Sequence, residues 1–222
     1  MRLDDVTTAL ARTPDDVPGV PAARRFVEQH GDAALRREGG PEHLTASCFV
    51  FSPDLERTLL CLHRKGGFWV QVGGHLEPQD TSLAAAARRE AREESGIAGL
   101  ELLDGSVVDV DRHDLHSGFG ICAAHWDVGF VALVDPEDPS AATAVSDESD
   151  DVRWFPVEAL PDAVPSTFPH RLLAARETAH DATREAARET ARDAAREAAR
   201  DAARTAVREA GRSTAPAASR DD

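Results

Sequence analysis

Across 222 residues the chain has three cysteines, one lysine, no long apolar run and no excess of positive charge, and each shortage narrows what it can be. Nowhere do apolar residues run uninterrupted for the ~18 positions a membrane-spanning helix needs, so no membrane partner is expected. The opening residues, MRLDDVTTAL, lack the basic and apolar regions of a secretion signal, which makes the expected location cytoplasmic. Cys48, Cys61 and Cys122 form no metal-ligand spacing, and an odd count without a secretion signal reads as buried free thiols. The net charge is −15, and the shortage of positive charge lies in residues 1–170, which hold 14 basic and 30 acidic side chains. Such a region repels nucleic acid, so none is expected as a partner. If it handles phosphates, cations must mediate. Lys65 stands alone against 24 arginines, a habit of GC-rich genomes that carries no functional content.

What is present suffices for a packed core: 41% of residues are hydrophobic, enough for about one domain with an appendage. Residues 4–12 and 22–38 are helical candidates separated by the turn cluster PDDVPGVP. The pattern then changes to strands: HLTASCFVFS (43–52) and RTLLCLH (57–63), separated by SPDLE, and FWVQV (68–72) entering Gly73 and Gly74. ELLDGSVVDVD (101–111), ICAAHWDVGFVALV (121–134) and VRWF (152–155) complete the set. The expected divisions are a helical segment 1–42, a globular domain 43–165, a charged helix 166–212 and a disordered tail 213–222.

The charged helix has its own logic. Arginines recur every fourth residue from Arg184 to Arg208, each of the acids 185, 189, 193, 197 and 201 precedes an arginine by three, and alanine fills most other positions. These residues are strong helix formers, and the spacing makes opposite charges neighbours, so a helix is expected over about 169–210. A period of four overshoots the helical turn by about 40° per repeat, so no apolar face is maintained. That describes a solvated spacer of roughly 60 Å; the other reading is self-association or a protein contact through the alanine-rich faces.

Between residues 73 and 97 the chain reads GGHLEPQDTSLAAAARREAREESGI. Asp80, Thr81 and Ser82 are good N-cap residues and Ser95-Gly96 is a stop signal, so a helix is expected over 81–95. Leu83, Ala84, Ala87 and Ala91 form its packed stripe, with Glu90, Glu93 and Glu94 on the arc beside it. Three carboxylates at i, i+3 and i+4 repel one another, more so at the edge of a core. A hard divalent cation, Mg²⁺ above all with Mn²⁺ as the alternative, would compensate, and the glycines leave backbone carbonyls open to the same place. The residues alone leave open a plain solvated face with Arg89 pairing Glu93.

The order Gly74, Asp80, Arg89-Glu90, Glu93-Glu94, Gly96-Ile97 resembles the Nudix box, G-x5-E-x7-R-E-U-x-E-E-x-G-U with U aliphatic. The second half matches throughout. In the first half an aspartate replaces glutamate, eight residues rather than seven precede Arg89, and Val72 stands where proline is frequent. The resemblance extends over about 43–160, with Trp69 ahead of the double glycine and a late strand ending in Trp154-Phe155. It implies an α/β fold, an α/β/α sandwich around a mixed sheet, here followed by the long Ala/Arg/Glu-rich C-terminal helix. It also implies metal-dependent hydrolysis of a phosphoanhydride in a nucleotide or a nucleoside diphosphate-linked small molecule. By motif position Glu93 and Glu94 would be the main metal ligands, the Gly73 carbonyl another, and Glu90 a ligand through water or a proton acceptor. Arg89 would orient the carboxylates, and Glu148, six residues before Trp154, would be the additional acid from a late loop.

Further candidates for substrate contact are Arg64 and Lys65 in a basic turn, His75 after the glycines, and His125 and Asp127, which alternate with Trp126 and so share one sheet face. For Arg64 and Lys65 an ordinary charged turn is the other reading. His43, His113 and His116 read as surface or capping residues. Two further functional readings stay open: a ligand-sensing module that keeps the fold without efficient turnover, and a scaffold whose function lies in the C-terminal helix.

Overall fold

A computed structural model describes residues 1–115, 122–146 and 149–213, except for the side chains of 201–203 and 205–213. Its elements in chain order are α1 (Leu3–Arg12), α2 (Val20–His30), β1 (Glu42–Phe51), β2 (Arg57–His63), β3 (Phe68–Val70), β4 (Val72–His75), α3 (Leu83–Ser95), β5 (Asp109–Asp114), β6 (Ala124–Leu133), β7 (Ser149–Pro156) and α4 (Phe168–Ser213). The chain forms two compact units, Met1–Ala179 and His180–Asp222.

The seven strands make one mixed, curled sheet in the order β3-β2-β1-β6-β5, with β4 also paired to β1 and β7 to β2. The parallel pair is β1 with β6, in register from Glu42↔Ala124 to Phe51↔Leu133; the other pairs are antiparallel. Side chains alternate along each strand, and β1 shows the result. Leu44, Ala46, Cys48 and Val50 belong to the core on one side of the sheet, shared with α1, α2 and α3. Phe49 and Phe51 face the other side, where Phe168, Leu172, Ala175 and Ala179 bring the first turns of α4 against them. The 4-3-4 spacing of those four residues is one stripe of a helix. Helices therefore cover both faces, and the expected α/β/α architecture around a mixed sheet is present, as is the long C-terminal helix.

α3 begins where the Ser82 hydroxyl accepts the Ala85 N–H and ends at Gly96, whose φ of 76° suits a residue without Cβ. Its buried stripe is Leu83, Ala86, Ala87, Ala91 and Glu94. Ala84, expected within the stripe, packs at its margin, and a glutamate occupies the stripe's end.

Other boundaries also differ from the sequence reading. The second helix stops at His30, where Gly31 adopts φ 57°, and short 3-10 turns at Gly31–Leu35 and Arg37–Gly39 replace the rest. FWVQV divides into β3, which pairs with β2, and β4, which pairs with β1. Residues 101–111 are not one strand. An Asp104–Ser106 turn with Gly105 at φ 72° interrupts them, leaving a single Leu102–Ala132 bridge before β5.

In the second unit every described side chain from Arg184 to Arg200 is exposed. Glu185 pairs with Arg188 and Arg192, and Asp193 with Arg196. Of the tail 213–222 expected to be disordered, Ser213 ends α4 and residues 214–222 lie outside the described residues. No helix among the described residues is long and apolar enough to cross a membrane.

Candidate active site

The box folds so that β4 and α3 face one another. Gly73 donates its N–H to Glu94 Oε2 at 2.8 Å, and a Cβ on Gly74 would stand 2.7 Å from the Glu90 carboxyl carbon. Glycine at 74 is therefore what allows Glu90 to lie against the strand. Glu94 is 5% exposed, whereas the Glu93 side chain is 58% exposed, so the cluster runs from a buried carboxylate to a solvated one. Cys61 Sγ also lies 3.6 Å from Glu94 Oε2, and burial holds this thiol well above its ordinary pKa.

Arg89 ties the loop to the helix. Its Nε and Nη2 donate to the two oxygens of Asp80, each at 3.0 Å, and Nη2 also donates to the His75 carbonyl at 2.9 Å. Its Nη1 donates to Glu90 at 2.9 Å and Glu93 at 3.0 Å. Burial opposes the arginine's charge, but Asp80 and Glu90 outweigh it and raise its pKa. For Glu90 burial wins: despite Arg89 its pKa is pushed up to about 7, with Glu94 and Glu93 adding repulsion. The aspartate and the longer spacer thus keep an acid on Arg89, as the loop from Glu77 bends back to give Asp80 its own N–H at 2.8 Å.

Next to the glycines a cavity of about 110 Å³ is lined by His75, His125, Asp127, Thr45, Ser47 and Gln71, among others. Both predicted residues of β6 reach it. The Asp127 carboxylate accepts from Thr45, Ser47, Gln71 and Arg171. His63 and Phe68, which flank the basic turn, line the same cavity. Within that turn Arg64 donates to Asp150 and to the Ser149 carbonyl, and Lys65 is exposed. Glu148 lies outside the described residues.

Sequence reasoning missed three features. Arg171, in the first turn of α4, is buried against Asp109, Asp127 and Asp111; nothing local marks it among the other arginines of its helix. His43, read as a surface or capping residue, is fully buried, because the parallel register brings it beside His125. Arg36 and Arg37 line a groove of about 620 Å³ that ends on His75, Leu76 and Glu77, so the N-terminal segment adds basic groups beside the box.

The three histidines of this face are crowded. His43 lies with its ring centroid 5.1 Å from His75 and 4.8 Å from His125. Burial depresses all three, His75 to about 4 and His125 to about 2, and the neighbouring imidazoles add to the effect on those two. The Gly40 backbone favours protonation of His43 without being in hydrogen-bonding geometry.

A family model described as the NUDIX domain matches residues 41–176. The chain belongs to the NUDIX family. Its activity class is accordingly Nudix-type pyrophosphohydrolysis. The match covers all seven strands, α3 and the Arg171 turn of α4. No curated protein matches the sequence. Among solved structures the chain is similar to a MutT protein from Methanosarcina mazei Go1, at 20% identity and a TM-score of 0.49 over 63% of this chain and 96% of that one. It is similar to a C. elegans Ap4A hydrolase in a binary complex, at 18% identity and 0.49 over 63% and 98%. A NUDIX-family hydrolase from Clostridium perfringens shares 23% identity, with 0.46 over 61% and 94%.

Proposed function

We propose that the protein hydrolyses a phosphoanhydride bond in a nucleotide or a nucleoside diphosphate-linked small molecule, using Mg²⁺ held by Glu90, Glu93 and Glu94. The observation that carries this is that Glu94 and Glu90 lie against the backbone of Gly73 and Gly74 while Arg89 ties Glu93 to Glu90. The donor set fits the ion: hard carboxylate oxygens next to a strand that offers the Gly73 carbonyl, the combination Mg²⁺ and Mn²⁺ take. When bound, the cation would neutralise phosphate oxygens and polarise the phosphoryl group.

The chain's own residues supply the rest. Arg89 holds Glu90 and Glu93 in one orientation while Asp80 holds Arg89. Glu90 would serve either as a ligand through water or as the acceptor of a proton from attacking water. Glu148 is proposed as the additional acid from the late loop. The cavity beside Gly73 and Gly74, with His75, His125 and Asp127 in its lining, would hold part of the substrate, and Arg36 and Arg37 of the neighbouring groove together with Arg64 and Lys65 of the basic turn would supply phosphate contacts. The location proposed is the cytoplasm.

The test is release of phosphate or mononucleotide from nucleoside triphosphates, ADP-ribose, NADH, diadenosine polyphosphates and nucleotide sugars. Turnover is expected with Mg²⁺, and its loss with EDTA or in a Glu93→Gln, Glu94→Gln double variant. Silence across the panel, with Mg²⁺ still raising the melting temperature, would replace the hydrolase with a binding module.

A further inference from the structure

Beyond the glutamate cluster, the sheet carries a second group of donors of different chemistry. His43 on β1, His75 on β4, His125 on β6 and Cys122 just before β6 each offer a ligand atom, and these four atoms all lie within 4.8 Å of one another. The topology brings them together. His43 and His125 are register partners on the parallel pair, and β4 pairs with β1 on its other side, with His75 opposite Thr45.

Neither nitrogen of His43, nor Nε2 of His75 or of His125, has a hydrogen-bond partner, although all are buried. His43 is 0% exposed. Buried polar atoms are normally satisfied, because leaving one unpaired costs free energy comparable to a lost hydrogen bond. Three buried imidazoles with unpaired nitrogens, each offering one ligand atom close to a buried thiol, call for a common partner. Packing alone would serve an apolar side chain better at each of these positions.

We propose that His43, His75, His125 and Cys122 bind a borderline-soft divalent metal ion, Zn²⁺ foremost, at a site separate from the carboxylates of α3. Nitrogen and sulfur donors suit Zn²⁺, and the all-oxygen set of α3 suits Mg²⁺, so the two groups select different ions. With Zn–N of ~2.0–2.1 Å and Zn–S of ~2.3 Å, a tetrahedron has edges of roughly 3.3–3.8 Å. The present arrangement reaches that by closing about an ångström, within the range of small χ adjustments. The ion would brace β1, β4 and β6 together two residues from Gly73, and so hold the strand that faces Glu90 and Glu94. The site does not depend on the hydrolase reading, since none of its four ligands is among those carboxylates.

The experiment uses the full chain, stripped with a chelator and desalted. Zn²⁺ is titrated against a chromophoric chelator, bound metal is counted by mass spectrometry, and Co²⁺ is added as a spectroscopic probe. One Zn²⁺ per chain is expected, together with a thiolate-to-cobalt charge-transfer band. Cys122→Ser should abolish the band, and His125→Asn should weaken Zn²⁺ binding by on the order of 100-fold. A Glu93→Gln, Glu94→Gln variant should bind Zn²⁺ as the parent does. The cobalt spectrum of the unsubstituted protein decides even if a variant fails to fold: no thiolate band overturns the site. Zn²⁺ binding that survives Cys122→Ser and His125→Asn but is lost with the glutamates overturns it as well.

Discussion

Asp80 and Arg89 form a two-point ion pair, Nε to Oδ1 and Nη2 to Oδ2 each at 3.0 Å, in which the Asp80 side chain is 4% exposed. The shorter acid and the spacer one residue longer than the Nudix pattern arrive at the arginine together. Asp80→Asn should therefore cost about 3 kcal/mol in urea unfolding, as expected when one partner of a buried pair is removed. It should also lower kcat by roughly 10-fold or more through misplacement of Glu90 and Glu93. Asp80→Glu adds a methylene at a packed site and should cost about 1–3 kcal/mol. Unchanged stability and kcat in both variants would mean that the pair has no positioning role.

How much of this was legible follows the range of the interactions. The central helix and its glutamates were readable because caps, stop signal and carboxylate spacing are all local, set within the stretch from Asp80 to Gly96. That His125 and Asp127 share one face, where both line a cavity, was readable because alternation along one strand is also local. The division between β3 and β4 was not readable: it depends on which neighbour each half pairs with, and Gln71 separates them without any breaker residue. Arg171 meets Asp109 and Asp127 across 62 and 44 residues, and His43 meets His125 through a parallel crossover. Such contacts are set by topology, which periodicity does not encode.

The pKa of Glu90 predicts how metal-free stability depends on pH. Its value rises from an ordinary 4.5 to about 7 on folding, so the folded state binds more protons than the unfolded one between those values. Stability is then lost as pH climbs through this window, by about 3 kcal/mol in all. In EDTA, Glu90→Gln should be more stable than the parent at pH 8 and gain nothing at pH 4.5, read from denaturant midpoints. An equal difference at both pH values would rule out the shift. Mg²⁺ should raise the parent's melting temperature more at pH 8 than at pH 6.

The boundary between the two compact units sets where the chain can be cut. Removing residues 180–222 leaves Phe168, Leu172, Ala175, Ala179 and Arg171 in place, and should change unfolding free energy by less than about 1 kcal/mol with activity retained. Ending the chain at residue 167 exposes Phe49 and Phe51 and strips the buried Asp109 and Asp127 of their arginine. That protein should not fold stably, and Arg171→Ala alone should cost about 3–5 kcal/mol. If the shorter truncation loses activity while staying folded, the charged helix takes part in function.

The two glycines of the box separate fold from chemistry. A Cβ at Gly73 would stand 2.4 Å from Ser47 Cβ and 2.6 Å from Ser47 Cα, so Gly73→Ala forces β4 away from β1, the strand it pairs with. A Cβ at Gly74 would instead meet the end of the Glu90 side chain at 2.7 Å, and that carboxylate can swing aside at small cost to the backbone. Gly73→Ala should thus lower the melting temperature markedly. Gly74→Ala should leave it nearly unchanged while kcat falls by on the order of 10–100-fold, because Glu90 no longer lies beside Glu94 and the strand. Measuring both quantities for both variants tests the assignment directly. Full activity in a folded Gly74→Ala protein would show that the position of Glu90 against the strand is not needed for turnover.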